Sequence, residues 1–158
     1  LATTRSADKA ARLAEFGVSD AIDLSSGDQV EAVLAATAGR GVDVIIDSVG
    51  GSVFAANLKS LAVKGRLVNI GRLGGSSAPM DLEALWLKRL KLIGVTFRTR
   101  TEAERLDCVA GCARDVLPHL AAGRIRLPID RVFALDDALD ALAHMRANRH
   151  FGKVVLRA

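Results

Sequence analysis

The sequence is poor in cysteine and aromatic residues, and it has no long apolar run. Its 158 residues include two cysteines, one tryptophan and no tyrosine. Cys108 and Cys112 stand four residues apart, which is neither a disulfide framework nor a usual zinc-ligand spacing. The longest apolar stretches, such as 42–46, are too short to span a bilayer, and the first residues lack the pattern of a signal peptide. We therefore expect a soluble, cytoplasmic protein with no membrane contact and no metal ligands among these residues.

The charges also lack any strong clustering. The chain carries 22 Lys and Arg against 18 Asp and Glu, a net charge of +4, and the basic residues are scattered among acidic ones. A nucleic-acid partner is therefore not expected. Half of the residues are hydrophobic and a quarter are charged, which is typical of a globular domain and excludes a disordered chain.

Short apolar segments alternate with helical patterns along the whole chain. The segment 42–49 has apolar residues on both faces, as in a parallel strand covered by helices on each side. Repeated strand–helix–strand units predict an α/β fold with a doubly wound parallel sheet. The predicted strands are 1–4, 21–24, 42–49, 66–70, 90–97, 128–135 and 153–156.

Capping and composition add two predictions about helices and boundaries. Ser26 with Gln29, and Thr101 with Glu104, have capping-box spacing, and the second box predicts one long helix that ends near Gly123. The Arg- and Pro-containing stretch 124–131 is the only shift in composition. We therefore predict a boundary between residues 1–123 and 124–158.

Four stretches occur in the order found in one known family. They are ATTRSADK (2–9), GVDVIIDSVGG (41–51), GRLVNIG (65–71) and HFGKVVL (150–156). The chain resembles the nucleotide-binding half of the medium-chain dehydrogenase/reductases, in particular the zinc-independent NADPH:quinone oxidoreductases. The resemblance covers nearly all 158 residues and implies a Rossmann-like fold. It makes 1–123 a partial dinucleotide-binding domain and 124–158 an appendage that would pack on a GroES-like substrate domain and on the sheet.

The resemblance also shows which parts of the family pattern are missing. No G-x-G-x-x-G turn is present, and the chain begins at what matches the second strand of the sheet. In the strand order 3-2-1-4-5-6 the missing first strand lies in the middle. Without it, strands 1–4 and 42–49 would each leave a row of backbone groups unpaired. We expect either that these residues belong to a longer polypeptide or that another chain supplies the strand.

The end of the second family strand decides between NAD and NADP in dinucleotide folds. A carboxylate there binds the ribose hydroxyls, whereas a 2′-phosphate needs cations and hydroxyl donors. The sequence has Thr4, Arg5 and Ser6 at this point, with Lys9 one helical turn later and no acid in the matching position. This set favours NADPH. The alternative is that Arg5 and Lys9 are solvated charges and Ser6 is only an N-cap, and the nearby Asp8 weakens the positive field.

Further cofactor contacts follow from the resemblance. Gly50 and Gly51 follow the most buried strand at its carboxyl end, where ligands bind in open α/β sheets, and Gly71 follows the next strand at the same edge. Each of these positions also has a plain structural interpretation, as a turn glycine or a surface charge. The resemblance implies cofactor contacts at Val49, Gly50, Gly51, Gly71, Arg72, Phe97, Arg98, Gly152 and Lys153.

The activity that the resemblance implies is hydride transfer from NADPH to a quinone or an activated alkene. No residue has the setting of a general acid or base, so we predict no catalytic side chain in this chain, and we expect residues 1–158 alone to be inactive. The edge strand 90–97 is a candidate for homodimerisation by strand addition. The alternatives are a noncatalytic dinucleotide-binding and dimerisation module, or the cofactor domain of a zinc alcohol dehydrogenase or an enoyl reductase.

Overall fold

The structure is a computed structural model that describes residues 1–158. The strands are β1 (Ala2–Thr4), β2 (Ala21–Asp23), β3 (Val42–Asp47), β4 (Leu61–Asn69), β5 (Lys91–Gly94), β6 (Ile129–Ala134) and β7 (Lys153–Arg157). The helices are α1 (Ala7–Leu13), α2 (Gln29–Ala36), α3 (Phe54–Ser60), α4 (Leu82–Leu87), α5 (Glu102–Asp115), α6 (Leu117–Ala121) and α7 (Ala138–Arg146). None of these helices is long and apolar enough to cross a membrane.

Every strand pair is parallel, which confirms the predicted α/β class. β1 pairs with β2, β3 pairs with β4, β4 pairs with β5, and β6 pairs with β7. A parallel pair needs a crossover, and a helix lies between the two strands of each pair. The resulting strand–helix–strand units are those of a Rossmann-like sheet.

β1 and β3 each have one edge without a strand partner among residues 1–158. β1 pairs only with β2, and β3 pairs only with β4, so the two strands do not join into one sheet. This agrees with the gap expected from the strand order of the family. On β3, Ile46 is 62% exposed and Val44 is 41% exposed. The sequence predicts that side chains on both faces of this strand are buried, whereas Val44 and Ile46 are exposed in the structure.

The contacts divide the chain into two units, Leu1–Thr101 and Glu102–Ala158. The division falls before α5, whereas the sequence predicts a boundary at residues 123 and 124. Helices α5 and α6 therefore group with the C-terminal strands. The assignment of residues 1–123 to a dinucleotide-binding domain stays a prediction.

The core of the first unit lies between α3, β3 and β4. Leu58, Leu61 and Leu67 are almost fully buried, and they are packed by the partly buried Val42, Ile45, Phe54 and Leu90. Lys88 closes the end of α3, because its ammonium group donates to the carbonyl oxygens of Lys59 and Leu61, both at 2.7 Å. Burial lowers the pKa of the Lys88 ammonium. One cation thus satisfies carbonyl groups that the helix end leaves without partners.

Several details of the predicted elements are wrong. The N-cap of α2 is Asp28, whose carboxylate accepts from the Glu31 amide at 2.9 Å, and not Ser26. The long helix breaks between α5 and α6, because Pro118 in the first turn of α6 has no N–H to continue a helix. Strand β5 ends at Gly94 rather than at Phe97, and β3 ends at Asp47.

Candidate functional site

Two loops interlock at the carboxyl edge of the three-stranded sheet formed by β3, β4 and β5. One follows β3 and the other follows β4, and backbone hydrogen bonds join them directly. The Gly51 amide donates to the Gly75 carbonyl at 2.9 Å, the Ser52 amide donates to the Gly74 carbonyl at 3.1 Å, and the Gly74 amide donates to the Val49 carbonyl at 2.7 Å. The predicted residues Val49, Gly50, Gly51, Gly71 and Arg72 all lie in this pair of loops.

The buried carboxylate of Asp47 sets the start of the first loop. Asp47 is 4% exposed, and its Oδ1 atom accepts from the amides of Val49 at 2.8 Å and Gly50 at 3.0 Å. Its backbone carbonyl accepts from the Ile70 and Gly71 amides, which brings in the second loop. Sequence reasoning missed Asp47, although an aspartate two residues before an amide that it binds, here that of Val49, is typical of an Asx-turn.

Asn69 links the two loops from the end of β4. Its Nδ2 atom donates to the Gly71 carbonyl at 2.9 Å and lies 3.5 Å from the Asp47 Oδ2 atom. Asp47 and Asn69 are paired in the register of β3 and β4. Asp47 and Asn69 therefore stabilise the two loops by hydrogen bonds from neighbouring strands.

The glycines of these loops have a local structural reason. Gly50 has φ +80°, and a Cβ atom there would lie 2.9 Å from the Gly75 carbonyl oxygen. A Cβ atom on Gly71 would press on the Ser48 backbone, and one on Gly51 would lie 2.6 Å from the Ser77 carbonyl oxygen. Close approach of two backbones thus requires glycine at these positions. Their predicted contact with a cofactor stays a prediction.

A second group of predicted residues surrounds the end of β1. The Thr4 carbonyl accepts from the Leu24 amide at 2.6 Å, which completes the pairing with β2. Ser6 is the N-cap of α1, and its hydroxyl accepts from the Lys9 amide at 3.4 Å. Arg5 and Asp8 are exposed. The structure confirms that Ser6 caps α1, its predicted contact with a cofactor stays a prediction, and Arg5 is exposed.

Phe97 and Arg98 lie in a turn beyond β5 rather than at the end of that strand. The Arg98 amide donates to the Thr96 hydroxyl at 3.2 Å, and Phe97 is 53% exposed. The guanidinium carbon of Arg100 lies 5.6 Å from the centroid of the Phe97 ring. Their predicted contact with a cofactor is not tested by this geometry.

Gly152 and Lys153 belong to the second unit. Gly152 has φ +103°, and a Cβ atom there would collide with Pro128, while the Lys153 amide donates to the Pro128 carbonyl at 2.8 Å. The Lys153 side chain is exposed at the start of β7. As in the first unit, close backbone packing explains the glycine.

The chain offers no set of ligands for a metal ion. No group of three or more His, Cys, Asp or Glu side chains among residues 1–158 could hold one. Cys108 is partly buried and Cys112 is exposed, and both are free thiols on α5. These residues do not fit a zinc ion.

Residues 16–156 match the family model described as zinc-binding dehydrogenase. The match covers most of the chain and both of its units. The chain therefore belongs to the zinc-binding dehydrogenase family.

Solved structures agree with this assignment. A quinone oxidoreductase from Pseudomonas syringae pv. tomato is 28% identical, with a TM-score of 0.81 over 99% of this chain and 48% of its own. A mycobacterial protein solved in complex with NADPH is also 28% identical, with a TM-score of 0.81 over 99% of this chain and 49% of its own. An NAD-dependent alcohol dehydrogenase is 23% identical, with a TM-score of 0.79 over 99% and 43% of the two chains, which shows a shared fold.

The chain spans less than half the length of each of these three structures. A search of curated proteins found no match.

The interlocked loops predict a sharp difference between two glycine substitutions. Gly71→Ala places a methyl group against the Ser48 backbone, so we expect a loss of roughly 1–3 kcal/mol in the free energy of unfolding. Gly94→Ala is the matched control, because a Cβ atom there has nothing within 4 Å. Urea unfolding of the two variants measures the difference. Equal stability of Gly71→Ala and wild type would contradict the close packing of the loops.

Proposed function

We propose that this chain is the NADPH-binding part of an oxidoreductase that reduces a quinone or an activated alkene. The observation that carries the proposal is the side-chain set at the end of β1. Arg5 is an exposed cation there, Thr4 and Ser6 provide hydroxyl groups, and no carboxylate occupies the matching position. The 28% identity to a quinone oxidoreductase supports the substrate class, and the 28% identity to a protein solved with NADPH supports the cofactor.

Charge complementarity is the reason to prefer NADPH over NADH. A phosphate on the ribose carries negative charge, and guanidinium and ammonium groups bind it with charge-assisted hydrogen bonds. Arg5 and Lys9 supply such groups from neighbouring turns at the start of α1. The ribose of NADH has no 2′-phosphate for the two cations to bind, and the end of β1 lacks the carboxylate that would bind the ribose hydroxyl groups.

Bound NADPH would supply the hydride, and this chain would supply position and exclusion of water. The carboxyl edge of a parallel sheet is the place where ligands bind in open α/β folds. Here Asp47 and Asn69 hold the loops with Val49, Gly50, Gly51, Gly71 and Arg72 rigid. Phe97, Arg98, Gly152 and Lys153 are also proposed as cofactor contacts, because the family resemblance implies them. No side chain is assigned the role of general acid or base.

The activity is tested by mixing the protein with NADPH and following the absorbance of the reduced nicotinamide. The substrate panel contains quinones, enones and aldehydes. In the whole oxidoreductase of which this chain is proposed to be the NADPH-binding part, we expect oxidation of NADPH with at least one quinone or enone, whereas residues 1–158 alone are expected to give no turnover. Binding of NADPH without oxidation by any member of the panel would favour the noncatalytic dinucleotide-binding module instead.

The cofactor preference predicts a selective effect of Arg5→Gln. Loss of a charge-assisted hydrogen bond costs about 1.5–3 kcal/mol, so the Kd for NADPH should rise about tenfold or more. The Kd for NADH should stay within about twofold of the wild-type value, because it has no 2′-phosphate. Fluorescence titration measures both constants. Arg40→Gln is the control, since Arg40 pairs only with Asp43 at the amino end of β3. A parallel loss of NADH and NADPH binding in Arg5→Gln would refute the assignment.

We also propose a homodimer formed through β5. This strand pairs with β4 on one side, and its other edge has no partner among residues 1–158. All four of its residues are exposed, including the apolar Leu92 and Ile93. An exposed apolar edge strand pairs readily with a second copy of itself.

Strand addition predicts which backbone positions matter on β5. The Val95 amide donates to Asn69 on the β4 side, so alternation along the strand turns the Gly94 amide to the free edge. Gly94→Pro removes that donor, and we expect the dimer to dissociate in analytical ultracentrifugation. Gly94→Ala keeps the donor and should remain dimeric. A dimeric Gly94→Pro variant would exclude this edge as the interface.

A further inference from the structure

One carboxylate ties three elements of the second unit together. Asp130 lies on β6, and its Oδ1 atom accepts from the Phe151 amide at 2.8 Å in the turn that precedes β7. Its Oδ2 atom lies 2.7 Å from the Nε2 atom of His144 on α7. Both side chains are largely buried, with 19% of Asp130 and 18% of His144 exposed. No motif in the sequence indicates the partnership of His144 with Asp130.

The turn at residues 150–153 is held on both sides of its glycine. The Phe151 amide binds Asp130, and the Lys153 amide binds the Pro128 carbonyl at 2.8 Å. Gly152, between them, has φ +103° and lies directly against Pro128. The backbone that presents Lys153 is therefore fixed by the amino-terminal end of β6 and by the carboxylate of Asp130.

The carboxylate of Asp130 fixes the direction of its hydrogen bond with His144. A carboxylate oxygen only accepts, so the Nε2 atom of His144 carries the proton in this contact. The Phe151 amide and the His144 ring hold the pKa of the Asp130 carboxyl below its usual value. The His144 ring is further packed by Phe133 and His150, with ring centroids 5.9 and 6.2 Å away. The buried Nδ1 atom of His150 has no hydrogen-bond partner, so this nitrogen does not compete for the Asp130 carboxylate.

We propose that Asp130 and His144 are positioning residues that hold the 150–153 turn in the conformation from which Lys153 binds the cofactor. The inference rests on the proposed function, because it takes Lys153 as an NADPH contact. Asp130 touches the turn through the Phe151 amide, and His144 acts through Asp130 by fixing the orientation of its carboxylate. Neither residue needs to touch the cofactor itself.

The test compares two substitutions of His144. His144→Ala removes the donor, whereas His144→Gln retains an Nε2 donor on a side chain of similar reach. We expect the Kd for NADPH to rise about tenfold in His144→Ala and to return to within about threefold of wild type in His144→Gln. Hydrogen exchange should show faster exchange of the Phe151 amide in His144→Ala, with the amides of β3 and β4 unchanged. His119→Ala is the control, because His119 is exposed and contacts Arg124 instead.

The possible outcomes separate this inference from the proposed function. A wild-type protein that binds no NADPH overturns the proposed function and, with it, the role of the turn. Wild-type binding with an unchanged Kd in His144→Ala overturns the positioning role alone. Failure of His144→Gln to restore binding also overturns it, because the donor would then not be the feature that matters.

Asp130→Asn is the second variant, and it tests the positioning role if His144→Ala does not fold. The asparagine keeps the shape and one oxygen acceptor, but it removes the charge that orients His144. We expect at least a threefold rise in the Kd for NADPH, and an unchanged Kd would contradict the proposal.

Discussion

The two hydrogen bonds from the Val49 and Gly50 amides to the Asp47 carboxylate fix the point at which the chain leaves β3. A buried carboxylate is stable only when its oxygens are satisfied, and here backbone amides satisfy one of them. The direction of the first loop follows, and the loop after β4 then packs against it through backbone hydrogen bonds. The shape of the proposed cofactor edge thus depends on a side chain that no ligand needs to touch.

The second unit repeats this device on another strand. Asp130 accepts a backbone amide next to Gly152, as Asp47 does next to Gly50, and both glycines have positive φ. In each case a strand carboxylate holds a tight glycine turn from one side while a neighbouring carbonyl closes it from the other. The two units therefore share a way of making a tight turn at a strand end. In both, the close approach of two backbone segments accounts for the glycine.

The strands and most helices could be predicted from the sequence, because apolar periodicity reports directly on which faces are buried. Capping was less certain where two candidates stood close together. Ser26 and Asp28 both suit an N-cap, and only the folded backbone selects Asp28. Strand β5 was predicted too long because the apolar residues Val95 and Phe97 continue past the last backbone pair, at Gly94.

The site was harder to predict than the fold. A resemblance to a family can indicate Gly50 and Gly71, but it does not distinguish a ligand contact from the backbone packing that the structure explains. The pairs Asp47–Asn69 and Asp130–His144 join residues 22 and 14 positions apart. Such pairs depend on the register of strands and the placement of a helix, so no local pattern in the sequence reports them.

Each strand pairs only with the strand before or after it along the chain. Register partners lie 19 to 25 positions apart in every pair, so each pairing closes a loop of similar length and similar entropy cost. During synthesis from the N-terminus, the strands of each strand–helix–strand unit therefore become available for pairing in chain order, one unit after the next.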